Sequence, residues 1–185
     1  MMRLVPIFFC LLILTGCTAS ADPTSVMPGK RIALTYDDAP RGDGLMFDGT
    51  ERTQTMIEAW ETAKTGPVAI FATTQGMTDD QGRARIQSYA DVGHMIANHS
   101  HSHNWASRTD TEAYIADIEQ AEVILDGLPN RRSWYRFPYL DEGGYGDEEI
   151  ALAKRNRLRE ALSDRNLMSG YVTVDTYDWH LDSLW

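Results

Sequence analysis

The feature that most constrains this 185-residue chain is an alternation: short apolar runs separated by longer stretches whose apolar residues recur at helical spacing. The runs are Ile32-Ala33-Leu34, Val68 to Ala72, His94 to Ala97, a strand within Ser133 to Leu140, and Tyr171 to Val174. Between them, Glu51 to Lys64 carries Met56, Ile57, Trp60 and Ala63 on one face, and Asp80 to Val92 carries Ile86, Tyr89 and Ala90. A third stripe, Tyr114, Ile115, Ile118, Ala121 and Leu125, follows Thr109 and Glu112, which are spaced as a capping box. The fourth runs from a cap at Asp147 through Arg165, with Ile150, Ala151, Leu158, Ala161 and Leu162 inward. Strand and helix in strict alternation with short connections predict an α/β fold with a parallel sheet flanked by helices.

Polar clusters sit after the runs, at the edge where α/β proteins build their sites. Thr35-Tyr36-Asp37-Asp38-Ala39-Pro40 closes the first strand. Adjacent carboxylates repel and push one pKa upward, so the pair needs a cation or a division of labour. His99-Ser100-His101-Ser102-His103 follows the third strand and holds three of the five histidines. His99 and His103 share a face if the chain curls there; in an extended strand all three do. Neutral imidazoles at this spacing ligate zinc and related divalent metals. Two histidines and one carboxylate leave coordination positions open for water and substrate, with the second carboxylate as general base.

These residues resemble the polysaccharide deacetylases, the NodB-homology domain of carbohydrate esterase family four. Residues 35–40 are similar to its T-F-D-D-G-P motif and His99-Ser100-x-x-His103 to H-[S/T]-x-x-H. Arg136-Phe137-Pro138-Tyr139 resembles R-x-P-Y, and Asp175-Thr176-Tyr177-Asp178-Trp179 resembles D-x-x-D-W. The resemblance implies a partial, distorted (β/α) barrel that removes acetyl groups from N-acetylated or O-acetylated carbohydrate: peptidoglycan, chitin-like or xylan-like. It makes Asp37 the general base and Asp38, His99 and His103 the ligands of a divalent metal, zinc first, with cobalt, nickel or manganese as alternatives. Arg136 would orient Asp37, and the backbone N–H near Tyr139 would help hold the oxyanion. Asp178 would orient the catalytic acid, and Trp179 would wall the acetyl pocket. Tyr36 and Ala39 depart from the motif's Phe and Gly. The family's last motif, L-x-x-H, which supplies the catalytic acid, has no match after Trp179. That absence predicts that the barrel's C-terminal strands are missing and that the chain is the N-terminal part of a longer protein. The alternatives are a non-catalytic glycan- or metal-binding lipoprotein and a small-molecule amidohydrolase on the same scaffold.

The N-terminus places this domain in an envelope. Arg3 precedes an uncharged apolar stretch from Leu4 to Leu14, the pattern of a secretory signal and too short to span a bilayer. Leu14-Thr15-Gly16-Cys17 resembles a bacterial lipobox, so residues 1–16 are read as a lipoprotein signal and Cys17 as the lipidated residue, an anchor that needs more than one acyl chain. Residues 17–30, rich in Ser, Ala, Thr and Pro, are a tether, and 31–185 the domain. With Cys10 in the signal, no disulfide remains. A formal net charge of −10 argues against nucleic acid as a partner. His101 is expected to face solvent and His94 to be structural.

Overall fold

In a computed structural model, which describes residues 31–181, five parallel strands stand side by side in chain order. They are β1 (Thr35–Ala39), β2 (Ala69–Ala72), β3 (Met95–Asn98), β4 (Arg131–Tyr135) and β5 (Met168–Ser169). Helices α1 (Gly49–Ala63), α2 (Asp80–Asp91), α3 (Thr111–Leu125) and α4 (Glu148–Asp164) fill the four connections, as the alternation predicts. A one-turn helix, α5, follows at Asp178–Leu181. The predicted signal, lipidated Cys17 and tether lie outside the described residues, as do the side chains of Trp179 and Leu181.

Strand register sorts the core into two layers, because successive side chains alternate between the faces of the sheet. Ile70, Ala72 and Ile96 turn one way and pack with Ile57 of α1, Ile86, Tyr89 and Ala90 of α2 and Leu125 of α3. Ala69, Phe71 and Ala97 turn the other way, with Met95 and Trp134 against them. A further cluster joins the α3 residues Tyr114, Ile115 and Ile118 to Tyr135, Leu158, Ala161 and Leu162. The helical stripes read from the sequence are therefore buried where helices meet. Ala63 and Ile150 are exceptions: Ala63 is exposed, and Ile150 is 69 % exposed in the first turn of α4.

Three boundaries differ from expectation. The first strand is the polar motif itself, not the apolar run before it: pairing with β2 begins at Thr35 opposite Ala69, and Leu34 is 44 % exposed. The fifth strand lies at Met168–Ser169 rather than 171–174, because α4 ends at Asp164 and the next residues reach β4 at once. Met168 pairs with Trp134 and Ser169 with Tyr135, and the Gly170 N–H donates to Tyr135 O at 2.7 Å. The cap of α3 is Asp110, whose carboxylate accepts from Glu112 N and Ala113 N. Thr109 is turned away, its hydroxyl donating to Trp105 O.

Candidate active site

Two adjacent residues in a regular strand point to opposite faces. The backbone of β1 breaks that rule at the carboxylate pair. Asp37 stands opposite Phe71, but Ala39 stands opposite Ala72, so Asp38 is the extra residue of a bulge, with φ at 65°. A bulge re-aims side chains next to a site, and Asp is among the few residues that tolerate a left-handed backbone. The strain falls on Asp38 and not on Ala39, whose methyl is buried among Ile70, Ala72 and Met77. A Cβ in place of the motif's glycine is therefore accommodated.

The two carboxylates then go to different partners. Asp37 Oδ1 accepts from Arg136 at 2.5 Å. Arg136, with its side chain 3 % exposed, also donates from Nε to Gly170 O (2.7 Å) and from its NH1 nitrogen to Thr35 Oγ1 (2.8 Å). Its guanidinium lies 3.9 Å over the Phe71 ring. Asp38 turns to the histidines, with Oδ1 at 2.9 Å from His103 Nε2 and 3.4 Å from His99 Nε2. Burial pushes the Asp38 carboxyl up, but His103 and His99 outweigh this and hold it well below the usual carboxylate range.

A curled loop brings the histidines together, which decides between the two conformations open to the His tract. Ser100 and His103 both have positive φ, the His103 N–H donates to Ser100 Oγ, and the Ser100 N–H donates to Asn98 Oδ1. Asp117 of α3 clamps the loop from below, accepting from His101 N at 2.8 Å and Ser102 N at 3.1 Å. His99 and His103 converge with ring centroids 5.1 Å apart. His101, expected to face solvent, is half-buried: its Nδ1 lies 2.9 Å from Thr74 Oγ1, and its Nε2, at the exposed side, 3.1 Å from Gln120 Nε2. His94 is structural, its Nδ1 accepting from the buried Val68 N–H at 3.1 Å.

The donor set tests whether a metal belongs here. His99 Nδ1 lies 2.8 Å from Arg136 O, and a carbonyl only accepts, so Nδ1 carries the proton. In the neutral ring, Nε2 then presents a lone pair toward Asp38 Oδ1, itself buried and accepting no hydrogen bond. Ligand atoms of Asp38, His99 and His103 lie within 4.8 Å of one another. Two imidazole nitrogens converging on one carboxylate oxygen suit a divalent cation, and a backbone carbonyl on the far nitrogen of His99 is the usual outer support of a ligating histidine. These residues fit the group.

Beyond the candidate ligands, Tyr139 has positive φ, is half exposed and lies 4.7 Å from the His103 ring. It stacks on Trp105 at 4.1 Å and 6°, with Arg108 over the indole's ring at 4.7 Å. The buried Asp141 fixes this platform, accepting from Ser107 N, Ser107 Oγ and Gly143 N. Asp178 is exposed at the start of α5, accepts from Thr176 Oγ1 at 3.3 Å and makes no hydrogen bond or ion pair to Asp37, Arg136 or the histidines. Trp105, Asp117, Asp141 and Thr35 were not singled out from sequence. Only Asp117 left a trace: a carboxylate three residues after Tyr114 and four before Ala121, on the inward face of α3.

The model of the polysaccharide deacetylase family matches residues 24–161. The chain belongs to the polysaccharide deacetylase family. No protein of curated function matches it in sequence. Among solved structures, the peptidoglycan N-acetylglucosamine deacetylase Bc1960 is 26 % identical with a TM-score of 0.58, the match covering 80 % of this chain and 58 % of that one. A family 4 carbohydrate esterase from Streptomyces lividans gives 22 % and 0.60, over 81 % and 66 %. BA3943, a family 4 pseudoenzyme from Bacillus anthracis, gives 16 % and 0.54, over 80 % and 45 %. The chain thus spans little more than half the length of the first of these, and the two under 25 % identity speak for the fold alone.

Proposed function

We propose that this family member is a metal-dependent hydrolase that removes acetyl groups from N-acetylated, or O-acetylated, carbohydrate. The observation that carries the reading is the division of the carboxylate pair: Asp38 joins His99 and His103 in a ligand set, while Asp37 is held by Arg136. A bound divalent ion, zinc or a similar metal, would polarise the acetyl carbonyl and acidify a water at this position. Asp37 would take the proton from the attacking water. Its Oδ1 is occupied by Arg136, which leaves Oδ2, 3.9 Å from His99 Nε2, as the basic atom on the ligand side. Arg136 acts as a positioning residue, since its fork fixes the rotamer of Asp37 from Gly170 O and Thr35 Oγ1. The backbone N–H near Tyr139 would steady the oxyanion, and Tyr139 on Trp105 would bound the sugar. Trp179 as wall of the acetyl pocket and Asp178 as positioning residue of an acid belong to the same proposal.

Collapse of the tetrahedral adduct breaks the C–N bond and requires a proton on the departing amine. His94 and His101 are held in hydrogen bonds elsewhere. An O-acetyl ester needs that proton less, because an alkoxide leaves more readily than an amide anion. We infer further that Cys17 carries the lipid, that 31–185 is the domain and that the protein works on envelope glycan from a membrane anchor. A second reading keeps the same cluster without turnover: a glycan- or metal-binding lipoprotein. Acetate release separates the two. Wild-type protein is expected to free acetate from chitin oligomers or acetylated xylan, and chelation or Asp37→Asn to suppress it by about 10²–10⁴-fold. Release indifferent to both treatments would refute the mechanism; glycan binding without release would establish the second reading.

A further inference from the structure

A groove of about 450 Å³ opens beside the aromatic platform, within the range of ~300–1,000 Å³ typical of ligand sites. Leu140, Glu142, Tyr145, Arg155, Arg159 and Tyr171 line it. A line of ring contacts leads from the candidate active site to the groove's lining residue Tyr145: His103 to Tyr139 at 4.7 Å, Tyr139 to Trp105 at 4.1 Å, and Trp105 to Tyr145 at 6.3 Å. Tyr145 and Tyr171 are exposed, and each offers an apolar face with a polar tip.

The charges in the groove are unevenly satisfied. Glu142 Oε2 accepts two bonds from Arg159, at 3.0 Å from Nε and 2.5 Å from an NH2 nitrogen. Asp141 is buried and saturated by Ser107 and Gly143. Arg155 is half-buried and makes no ion pair or hydrogen bond among the described residues. Its fork is given room by a missing side chain: a Cβ on Gly144 would sit 2.0 Å from an Arg155 terminal nitrogen. A planar guanidinium held half-buried without an anion is matched by a carboxylate, which it can bind through two parallel hydrogen bonds. The formal net charge of −10 draws no anion toward the surface at large, so recognition has to be local.

We propose that this groove is a subsite for a carboxylate-bearing sugar next to the acetylated one, with Arg155 as its anchor. The inference rests on the glycan reading above and names its substrate class as an acidic glycan. Two sources carry that chemistry: a lactyl ether carboxylate, as on N-acetylmuramic acid, and a uronic acid. Calorimetric titration of the 185-residue chain distinguishes them. The probes are an oligosaccharide alternating N-acetylglucosamine with N-acetylmuramic acid, an acetylated xylo-oligosaccharide bearing glucuronic acid, the methyl ester of each, and neutral chitotetraose. At least one acid is expected to bind roughly tenfold more tightly than its ester, the strength of a hydrogen bond to a charged group. Arg155→Gln, and independently Gly144→Ala, which displaces the guanidinium, are expected to abolish that difference and leave chitotetraose unchanged. Equal affinity for acid and ester, or a difference that survives in R155Q, would overturn the subsite while leaving the glycan reading standing. Binding of none of the five probes would remove the glycan reading, and the subsite with it.

Discussion

The hold of Arg136 on Asp37 can be tested as a coupling energy without any knowledge of substrate. Arg136→Met keeps an apolar stem against Phe71 and deletes every donor, so Gly170 O and Thr35 Oγ1 lose their partner and Asp37 loses its counter-charge. Leaving one carbonyl short of its donor costs on the order of 1–2 kcal/mol. Breaking a buried ion pair by removing one member costs ~3–5 kcal/mol, but the Asp37 side chain is 36 % exposed and water recovers part of this, bringing its share to about 1–2 kcal/mol. The single variant should therefore lose roughly 3 kcal/mol. Asp37→Asn keeps the shape and an acceptor oxygen but removes the counter-charge of the guanidinium, whose bonds to Gly170 O and Thr35 Oγ1 remain, and should lose about 1–2 kcal/mol. In the double variant neither charge faces the missing one, so the losses should fall short of their sum by about 1–2 kcal/mol. Urea titrations of the four proteins in chelator at neutral pH measure that shortfall free of any metal contribution. Additivity within ~0.5 kcal/mol would show that the two side chains do not act on each other, and Asp37 would lose its claim to a fixed position.

Two further outcomes are expected. Zinc added to about one hundred times its dissociation constant should stabilise the chain by ~2.7 kcal/mol, raising Tm by roughly 5–10 °C, and His103→Ala should lose most of that shift; an equal shift in the variant would place the metal elsewhere. His94 gives a pH dependence: burial holds its pKa below the ordinary value, and its unprotonated Nδ1 accepts the Val68 N–H. Above pH ~6.5 both folded and unfolded states hold it neutral; below that the unfolded chain takes a proton first, so this group's stability contribution falls by at most ~1.4 kcal/mol per pH unit until the lower folded pKa is reached. Chemical denaturation of wild type and His94→Asn from pH 7.5 to 5 should show the steeper loss in wild type, and parallel curves would refute it.

Much of the architecture was legible because apolar periodicity reports burial directly. All five residues of the α3 stripe are buried, and so are Ile86, Tyr89 and Ala90 of α2. Where the reading failed, two local preferences competed. At the first strand, apolar Ile32-Ala33-Leu34 suggested burial, yet parallel pairing started at Thr35, since the inward face there is built to carry polar side chains to a site. At the fifth, Tyr171 and Val174 have strand propensity but are exposed, the ladder having been taken by Met168 and Ser169. Spacing and residue type brought out His99, His103 and one Asp of the pair as candidates, and the side chains that gather are His99, His103 and Asp38. The supports of this cluster were not legible: Asp117, Asp141 and Trp105 act through backbone amides and ring stacking between segments far apart in sequence, which leave no local pattern.

The carboxylate pair shows why placement matters more than composition at this site. Were β1 regular, Asp37 and Asp38 would face opposite sides, one toward the ligand side and the other into the layer formed by Ile70, Ala72 and Ile96, where an unpaired charge is costly. The bulge keeps both out of that layer, and it places Ala39 there instead. Having brought two like charges to one edge, the fold separates them by partner. Arg136 neutralises one from just past the end of β4, and the histidine loop collects the other around a position suited to a cation. The mutual repulsion of the pair would thereby be shared between a fixed guanidinium and, if a cation binds at Asp38, an exchangeable metal. Only the second can leave, so chelation should destabilise the Asp38 side of the pair while the Asp37–Arg136 contact persists.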